Sequence, residues 1–179
     1  MLFLTRPDAV YRDTYLDALR EYQAEGRHLE VEYVWVARYF DDYVASLRER
    51  EDTRRLPMSW VPETYFWLID GADYIGTTRL RHHLTDRLRA YGGNIGYEIR
   101  PSKRLQGYGK QILKLALVEA RRIGLKRALV TCNRENTGSR KIIEANGGVF
   151  EGEDAVKING AMVHERRYWI EIPRQDAPS

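Results

Sequence analysis

Two kinds of chemistry stand close together in the middle of this chain. Glu98 is a carboxylate inside the apolar, alternating run Asn94-Ile95-Gly96-Tyr97-Glu98-Ile99. A carboxyl in such surroundings can be tuned to take a proton from a substrate; the plainer alternative is a strand carboxylate that faces solvent. A basic loop follows, Arg104-Leu105-Gln106-Gly107-Tyr108-Gly109-Lys110. Then Ile112, Leu113, Leu115, Ala116, Leu117 and Ala120 give the next segment an apolar helical face. The first amides of a helix have no intrahelical partner and lie at the positive end of its dipole, so strand, loop and helix together make an anion site. Gly107 and Gly109 let the backbone close on a ligand, and Arg104 and Lys110 add charge. The guest expected there is a pyrophosphate.

Two common phosphate loops do not fit. A Walker loop needs Gly-Lys-Ser/Thr, but Gly109 is followed by Lys110-Gln111. A dinucleotide loop needs a third glycine where Ile112 stands, and no run of parallel strands precedes it. What remains is Arg-x-x-Gly-x-Gly. Downstream, Lys126–Cys132 reads as a strand, Asn136-Thr137-Gly138-Ser139 as a helix start, and Asn146-Gly147-Gly148 as its stop before Val149-Phe150.

This succession resembles the GNAT superfamily of N-acetyltransferases, and within it a group of stand-alone acetyltransferases. The family pattern is Gln/Arg-x-x-Gly-x-Gly/Ala, then strand, Asn-x-x-Ser/Ala, helix, and a further strand. The resemblance is firm over residues 94–153. It implies acetyl-coenzyme A as acetyl donor. Arg104, Leu105, Gln106, Gly107, Tyr108, Gly109 and Lys110 would hold its pyrophosphate, with the amides of Gln106 to Lys110 gripping it. The strand at Tyr97 and Ile99 would pair with the pantetheine, one of those amides pointing at the acetyl oxygen. Asn136 would touch the pantetheine arm, with Ser139 one turn on; as a bare residue, Asn136 is equally a helix cap. The chain departs from the family at Ile143, where many members carry a tyrosine that protonates the thiolate. Water, Ser139, Cys132 or Tyr108 is then the candidate donor, unless the thiolate leaves unassisted, and Glu98, with Glu63 behind it, is the candidate base. The implied activity is transfer of an acetyl group to a primary amine of a small molecule or peptide. The alternatives are a coenzyme A-binding module without catalysis and a protein N-terminal acetyltransferase.

The elements that position these residues follow from the pattern. Leu2–Thr5 is a strand, Asp8 caps a helix carrying Tyr11, Tyr15, Leu19 and Tyr22, and Gly26 ends it. Leu29–Val36 alternates as an extended segment, and Phe40, Tyr43, Val44 and Leu47 mark a second helix. Residues 54–62 form a loop with two prolines. Residues 64–69 and 74–84 make a hairpin about Asp70-Gly71, which puts His82 and His83 on opposite faces of a strand. Residues 85–93 connect, partly as helix, and 162–172 form the last strand. The fold class is α/β: a GNAT-like mixed, mostly antiparallel sheet flanked by helices and splayed at the strands on either side of the cofactor-binding helix. One domain over 1–173 and a polar tail over 174–179 are expected.

The composition excludes little but is consistent. The 179 residues are 43 % hydrophobic and 31 % charged, with a net charge of +3, which suits a globular domain with a core. The single cysteine allows no internal disulfide and suits a reducing, cytoplasmic setting. No apolar run approaches the ~20 residues of a membrane span. The basic residues form no broad face interleaved with aromatics, so no nucleic-acid partner is expected. Neither is a metal, since paired ligands are lacking. The expected partner is an amine substrate, for a monomer or homodimer.

Overall fold

The computed structural model describes residues 1–54, 56–57, 60–158 and 160–173. Among these, the strands are β1 (Leu2–Thr5), β2 (Glu63–Asp70), β3 (Asp73–Arg81), β4 (Ile95–Ile99), β5 (Arg127–Asn133), β6 (Val149–Ile158) and β7 (Ala161–Glu171). The helices are α1 (Arg12–Ala24), α2 (Tyr33–Arg38), α3 (Phe40–Glu49), α4 (Asp86–Ala90), α5 (Tyr108–Arg122) and α6 (Thr137–Ala145). The strands form two antiparallel sheets, ordered β1-β2-β3-β4 and β5-β7-β6.

The division falls between β4 and β5, on either side of α5, where the splay is expected. Asn94 pins the two strands together at one end only. Its amide donates to Leu129 O at 2.7 Å, its Oδ1 accepts from Leu129 N at 2.9 Å, and its Nδ2 donates to Arg81 O at 3.3 Å. With every polar group bonded, a 3 % exposed asparagine is tolerated in the core. Beyond it no ladder joins β4 to β5 among the described residues, and the sheet opens.

Helices cover both faces. Leu113, Ala116 and Ala120 of α5 pack on Leu80, Ile95, Val130 and Ile170, while Ile112 meets Leu68 and Ile75. Each such Leu or Ile, fully buried, contributes about 1.5–3 kcal/mol. Against the opposite face, α1 and α3 supply Tyr15, Leu19, Phe40 and Val44 around Trp67 and Tyr74 of the sheet. The Tyr15 and Trp67 rings stack at 4.8 Å. The last turn of α5 ends on Arg121 and Arg122, where cations suit the dipole.

Three segments differ from the sequence expectation. Residues 33–38 are helix, not extended chain: Glu32 accepts the Trp35 amide as an N-cap, and only Val36 of that run is buried. Strand β3 stops at Arg81, so His82 and His83 share no strand; His82 N donates to Pro62 O at 3.0 Å and its Nε2 lies 2.8 Å from Thr64 Oγ1. Residues 149–158 make one long strand hairpinned to β7, where only its start is legible in the sequence. Parts of the expected 54–62 loop (residues 55, 58 and 59) and the expected 174–179 tail lie outside the described residues.

Candidate active site

The loop after β4 presents a row of unengaged amides. A short 3-10 turn, Pro101–Lys103, follows the strand. Gly107, at φ +87°, then starts α5 with no side-chain cap; only glycine takes that conformation without strain. The amides of Leu105, Gln106, Gly107, Tyr108 and Gly109 have no hydrogen-bond partner among the described residues. Five free donors at the positive end of a 15-residue helix fit a pyrophosphate. The row is displaced by one from the expectation. Lys110 N donates to Gly107 O at 3.1 Å and is spent, and Leu105 N takes its place. Leu105 holds a left-handed φ of +61° and is fully exposed.

The charges of the loop are arranged differently from the expectation. Arg104 turns towards α1, donating to Ile99 O at 3.2 Å and to Glu25 at 2.9 Å. Its guanidinium braces the loop, and Glu25 offsets its charge. Lys103 pairs with Asp73 at 3.0 Å. Lys110 is exposed and carries no ion pair among the described residues, so it is the cation left for a phosphate. Gly109 has a packing role as well. A Cβ added there would stand 2.4 Å from Ile142 Cδ1 of α6, so the tip of that side chain would have to move aside.

Strand β4 offers its outer edge to the splay. Arg81 N donates to Asn94 O and Arg100 N to Ile75 O, both at 2.8 Å. In an antiparallel ladder bonding residues alternate, so Gly96 and Glu98 bond towards β3. The amides of Tyr97 and Ile99 therefore point at the open side, as expected. Across the splay, Asn136 Oδ1 caps α6 by accepting the Ser139 amide at 2.9 Å. Tyr97 Oη lies 2.9 Å from Ser139 Oγ. Burial raises the Tyr97 phenol to about 12 and the Cys132 thiol to about 11, so both stay protonated. Ile143 is wholly buried in the core and cannot face a ligand. Tyr108 is not a donor in the splay, because its hydroxyl donates to Asp70 at 2.9 Å.

A cavity of about 810 Å³ begins at this splay, with Tyr97, Cys132, Asn136 and Ser139, and runs across the sheet face under α1 and α3. Glu98 lies in it, 13 % exposed. Its Oε2 is 2.7 Å from His28 Nε2, and its Oε1 is 2.8 Å from Arg27 Nη2, too poorly aligned for a hydrogen bond. The plainer reading of a solvent-facing carboxylate does not hold. His28 is the residue that sequence reasoning missed. It follows Gly26 on a turn, has a left-handed φ of +52°, and rests edge-on against Tyr22 at 5.0 Å. A non-glycine residue held there is a strained position of the kind found at functional sites. Glu63, the second base candidate, is instead held among arginines: Arg81 Nε at 3.5 Å and Arg50 Nη1 at 3.9 Å.

A family model described as an acetyltransferase (GNAT) domain matches residues 16–149. No curated protein matches the sequence. Solved structures share the fold. An acetyl transferase of Salmonella typhimurium that modifies the N-terminal serine of a 50S ribosomal subunit protein is 17 % identical, with a TM-score of 0.67 over 96 % of this chain and 95 % of that one. A chimera of the spermidine N-acetyltransferase SpeG of Vibrio cholerae with hSSAT is 16 % identical, with a TM-score of 0.63 over 95 % of each chain. RimJ of Mycobacterium smegmatis, in complex with CoA-disulfide, is 20 % identical, with a TM-score of 0.68 over 95 % of this chain and 81 % of that one.

Proposed function

We propose that this chain, which belongs to the GNAT acetyltransferase family, moves an acetyl group from acetyl-coenzyme A directly to a primary amine of a small molecule or peptide. One observation carries the reading. The free amides of Leu105 to Gly109 and the open edge of β4 lead into the splay, and the cavity that starts there holds the Glu98–His28 pair. Acetyl-coenzyme A, when bound, supplies a thioester; Leu105 to Gly109 and Lys110 would hold its pyrophosphate, and Asn136 the pantetheine arm.

The residues of the chain do the rest. An alkyl amine arrives as an ammonium of pKa near ~10.4 and must lose a proton before it can attack. The carboxylate of Glu98 and the imidazole of His28 meet at one proton-accepting site, with the Arg27 guanidinium 2.8 Å from Glu98. The amide of Tyr97 or Ile99 donates to negative charge that develops on the carbonyl oxygen. With the thioester bound, a C–N bond would form as the C–S bond broke, and a thiolate of pKa near ~8.5 could leave without an acid; the neutral Tyr97 hydroxyl, beside Ser139, would be the donor to steady it.

The test is release of free thiol from acetyl-coenzyme A with a panel of amines, amino acids, aminoglycosides and peptides, with product masses read in parallel. Turnover with a mass gain of one acetyl on nitrogen supports the reading. Tight cofactor binding without turnover on any amine would leave a coenzyme A-binding module, the reading that the buried Ile143 favours.

A further inference from the structure

The acceptor end of the cavity carries more positive charge than its own carboxylates balance. Strand registers set side chains in rows on the face under α1 and α3. Glu63 stands opposite Arg81, Tyr65 opposite Arg79, and Arg79 opposite Gly96. Arg50, just past α3, closes this end and lies over the Trp60 ring at 4.4 Å. Glu63 accepts the Tyr65 hydroxyl at 3.3 Å and faces Arg81 and Arg50 at 3.5 and 3.9 Å. Arg81 is otherwise committed, donating to Gly92 O at 2.7 Å and Gly93 O at 3.0 Å. Arg79 makes no ion pair among the described residues; its guanidinium meets the Tyr65 side chain and feels the Glu63 charge without contacting it as a salt bridge. Three guanidinium groups, Arg50, Arg79 and Arg81, thus have one carboxylate between them.

Arg79 is also the one of the three that opens widest on the cavity. Gly96 beneath it has no side chain, and the guanidinium crosses that gap, with Nε 3.6 Å from where a Cβ would stand. Its side chain is accessible and lines the cavity. The remaining carboxylates of the cavity are placed elsewhere. Glu98 is taken by His28 and Arg27, Glu30 lies 3.9 Å from His28 Nδ1, and Glu165 sits at the splay end, opposite Asn133. The pyrophosphate is not the missing anion, because none of residues 105–110 lines this cavity.

We infer that the acceptor carries a carboxylate close to its amine, and that Arg79, with Arg50 beside it, receives that carboxylate. The inference rests on reading the cavity as the acceptor site of an acetyltransferase. A guanidinium that lines a cavity is well satisfied by a carboxylate, which its planar fork meets with two hydrogen bonds. Arg79 and Glu98 are diagonal neighbours on β3 and β4, about 7–8 Å apart at the backbone. One small group can therefore give its nitrogen to Glu98 and His28 and its carboxylate to Arg79. A polyamine would meet like charge at this end. The same chemistry is offered by a free amino acid and by the acidic side chain of a peptide near its N-terminus.

The experiment compares matched acceptors on the full chain. They are an amino acid, its carboxamide, the amine lacking the carboxyl group, spermidine, and paired peptides with Glu or Gln at the second position. Wild type should favour the carboxylate members by at least about tenfold in kcat/KM. Preference among free amino acids or among peptides then identifies the source. Arg79→Gln should raise KM for the carboxylate acceptor about tenfold, leave its kcat within about twofold, and leave the carboxamide unaffected. A second arm needs no turnover: calorimetry of an N-acetyl amino acid and its carboxamide should show a preference for the acid that Arg79→Gln abolishes. Equal use or equal binding of acid and amide, or a preference for spermidine, overturns the inference while the acetyltransferase reading stands. Absence of both cofactor binding and turnover would remove that reading instead, and the product-binding arm would still decide for or against an anion site at Arg79.

Discussion

His28 Nε2 stands 2.7 Å from Glu98 Oε2, although 70 residues separate them in the sequence. The contact joins the turn after α1 to the strand expected to flank the thioester, and the proposed mechanism uses the two side chains as a proton-accepting pair. Glu98→Gln should lower the acetylation rate at pH 7 at least about tenfold, the low end of base effects with water acting in its place. His28→Asn should do likewise, since Asn tolerates a left-handed φ and leaves the turn intact. The double variant should fall little further than the weaker single variant, as residues acting as one unit do. An unchanged rate in Glu98→Gln would make the pair a structural anchor only.

Gly109 and Ile142 set the fit of α6 on α5. Gly109→Ala puts a Cβ within 2.4 Å of Ile142 Cδ1, and moving that side-chain tip aside should cost about 1 kcal/mol, the low end of overpacking. Ile142→Val removes the atom that clashes, so the double variant should recover most of the lost stability in thermal unfolding. Gly107→Ala meets open space but takes a left-handed φ of +87°, which should cost roughly 1–2 kcal/mol with no rescue by Ile142→Val. Equal rescue of both would show that the two glycines serve the same purpose.

Much of this arrangement is legible in the chain itself, and the exceptions share a cause. The period of two over residues 95–99, the glycines at 107 and 109, and the apolar face of 112–120 are local signals, and each element they announce is present. Leu29–Val36 carries the same period of two and is not a strand. Val34 and Trp35 are exposed at 69 % and 43 %, so the alternation there records no buried face, and the Glu32 cap decides for helix. His28 had no local signal at all. A lone histidine in a turn becomes a site residue only because the chain returns to it as β4. The Tyr97 amide is legible in the strand pattern, whereas the contact of its hydroxyl with Ser139 is not, since α6 brings the two together.

The Tyr97 hydroxyl should matter to turnover more than to binding. Tyr97→Phe removes the group beside Ser139 and should lower kcat about tenfold, with KM for acetyl-coenzyme A within about twofold. Ile143→Val should leave the kinetics unchanged and cost about 0.5–1.5 kcal/mol in stability, because Ile143 is core. A kinetic effect of Ile143→Val larger than that of Tyr97→Phe would reverse the assignment.

Cys132 should be a slow thiol. Burial pushes it up to about 11, and only the thiolate is alkylated. At pH 8 roughly one molecule in a thousand would be ionised, against about a quarter for an ordinary thiol near ~8.5. Alkylation by iodoacetamide should thus be slower than that of a free thiol by on the order of 250-fold, and rise about tenfold per pH unit up to pH 10. Because Cys132 lines the cavity, acetyl-coenzyme A should slow it further. Full labelling of the folded protein within minutes at pH 8 would contradict the thiol's protonated state.

The central claim, that the amides of Leu105 to Gly109 hold a pyrophosphate, is tested most directly by calorimetric titration of acetyl-coenzyme A into the protein at low and high salt. The account predicts one site per chain, affinity that falls as salt rises because the contacts are to phosphate, and weaker binding in Lys110→Gln with a shallower salt dependence. No detectable heat at millimolar acetyl-coenzyme A, or binding indifferent to both salt and Lys110, would contradict it.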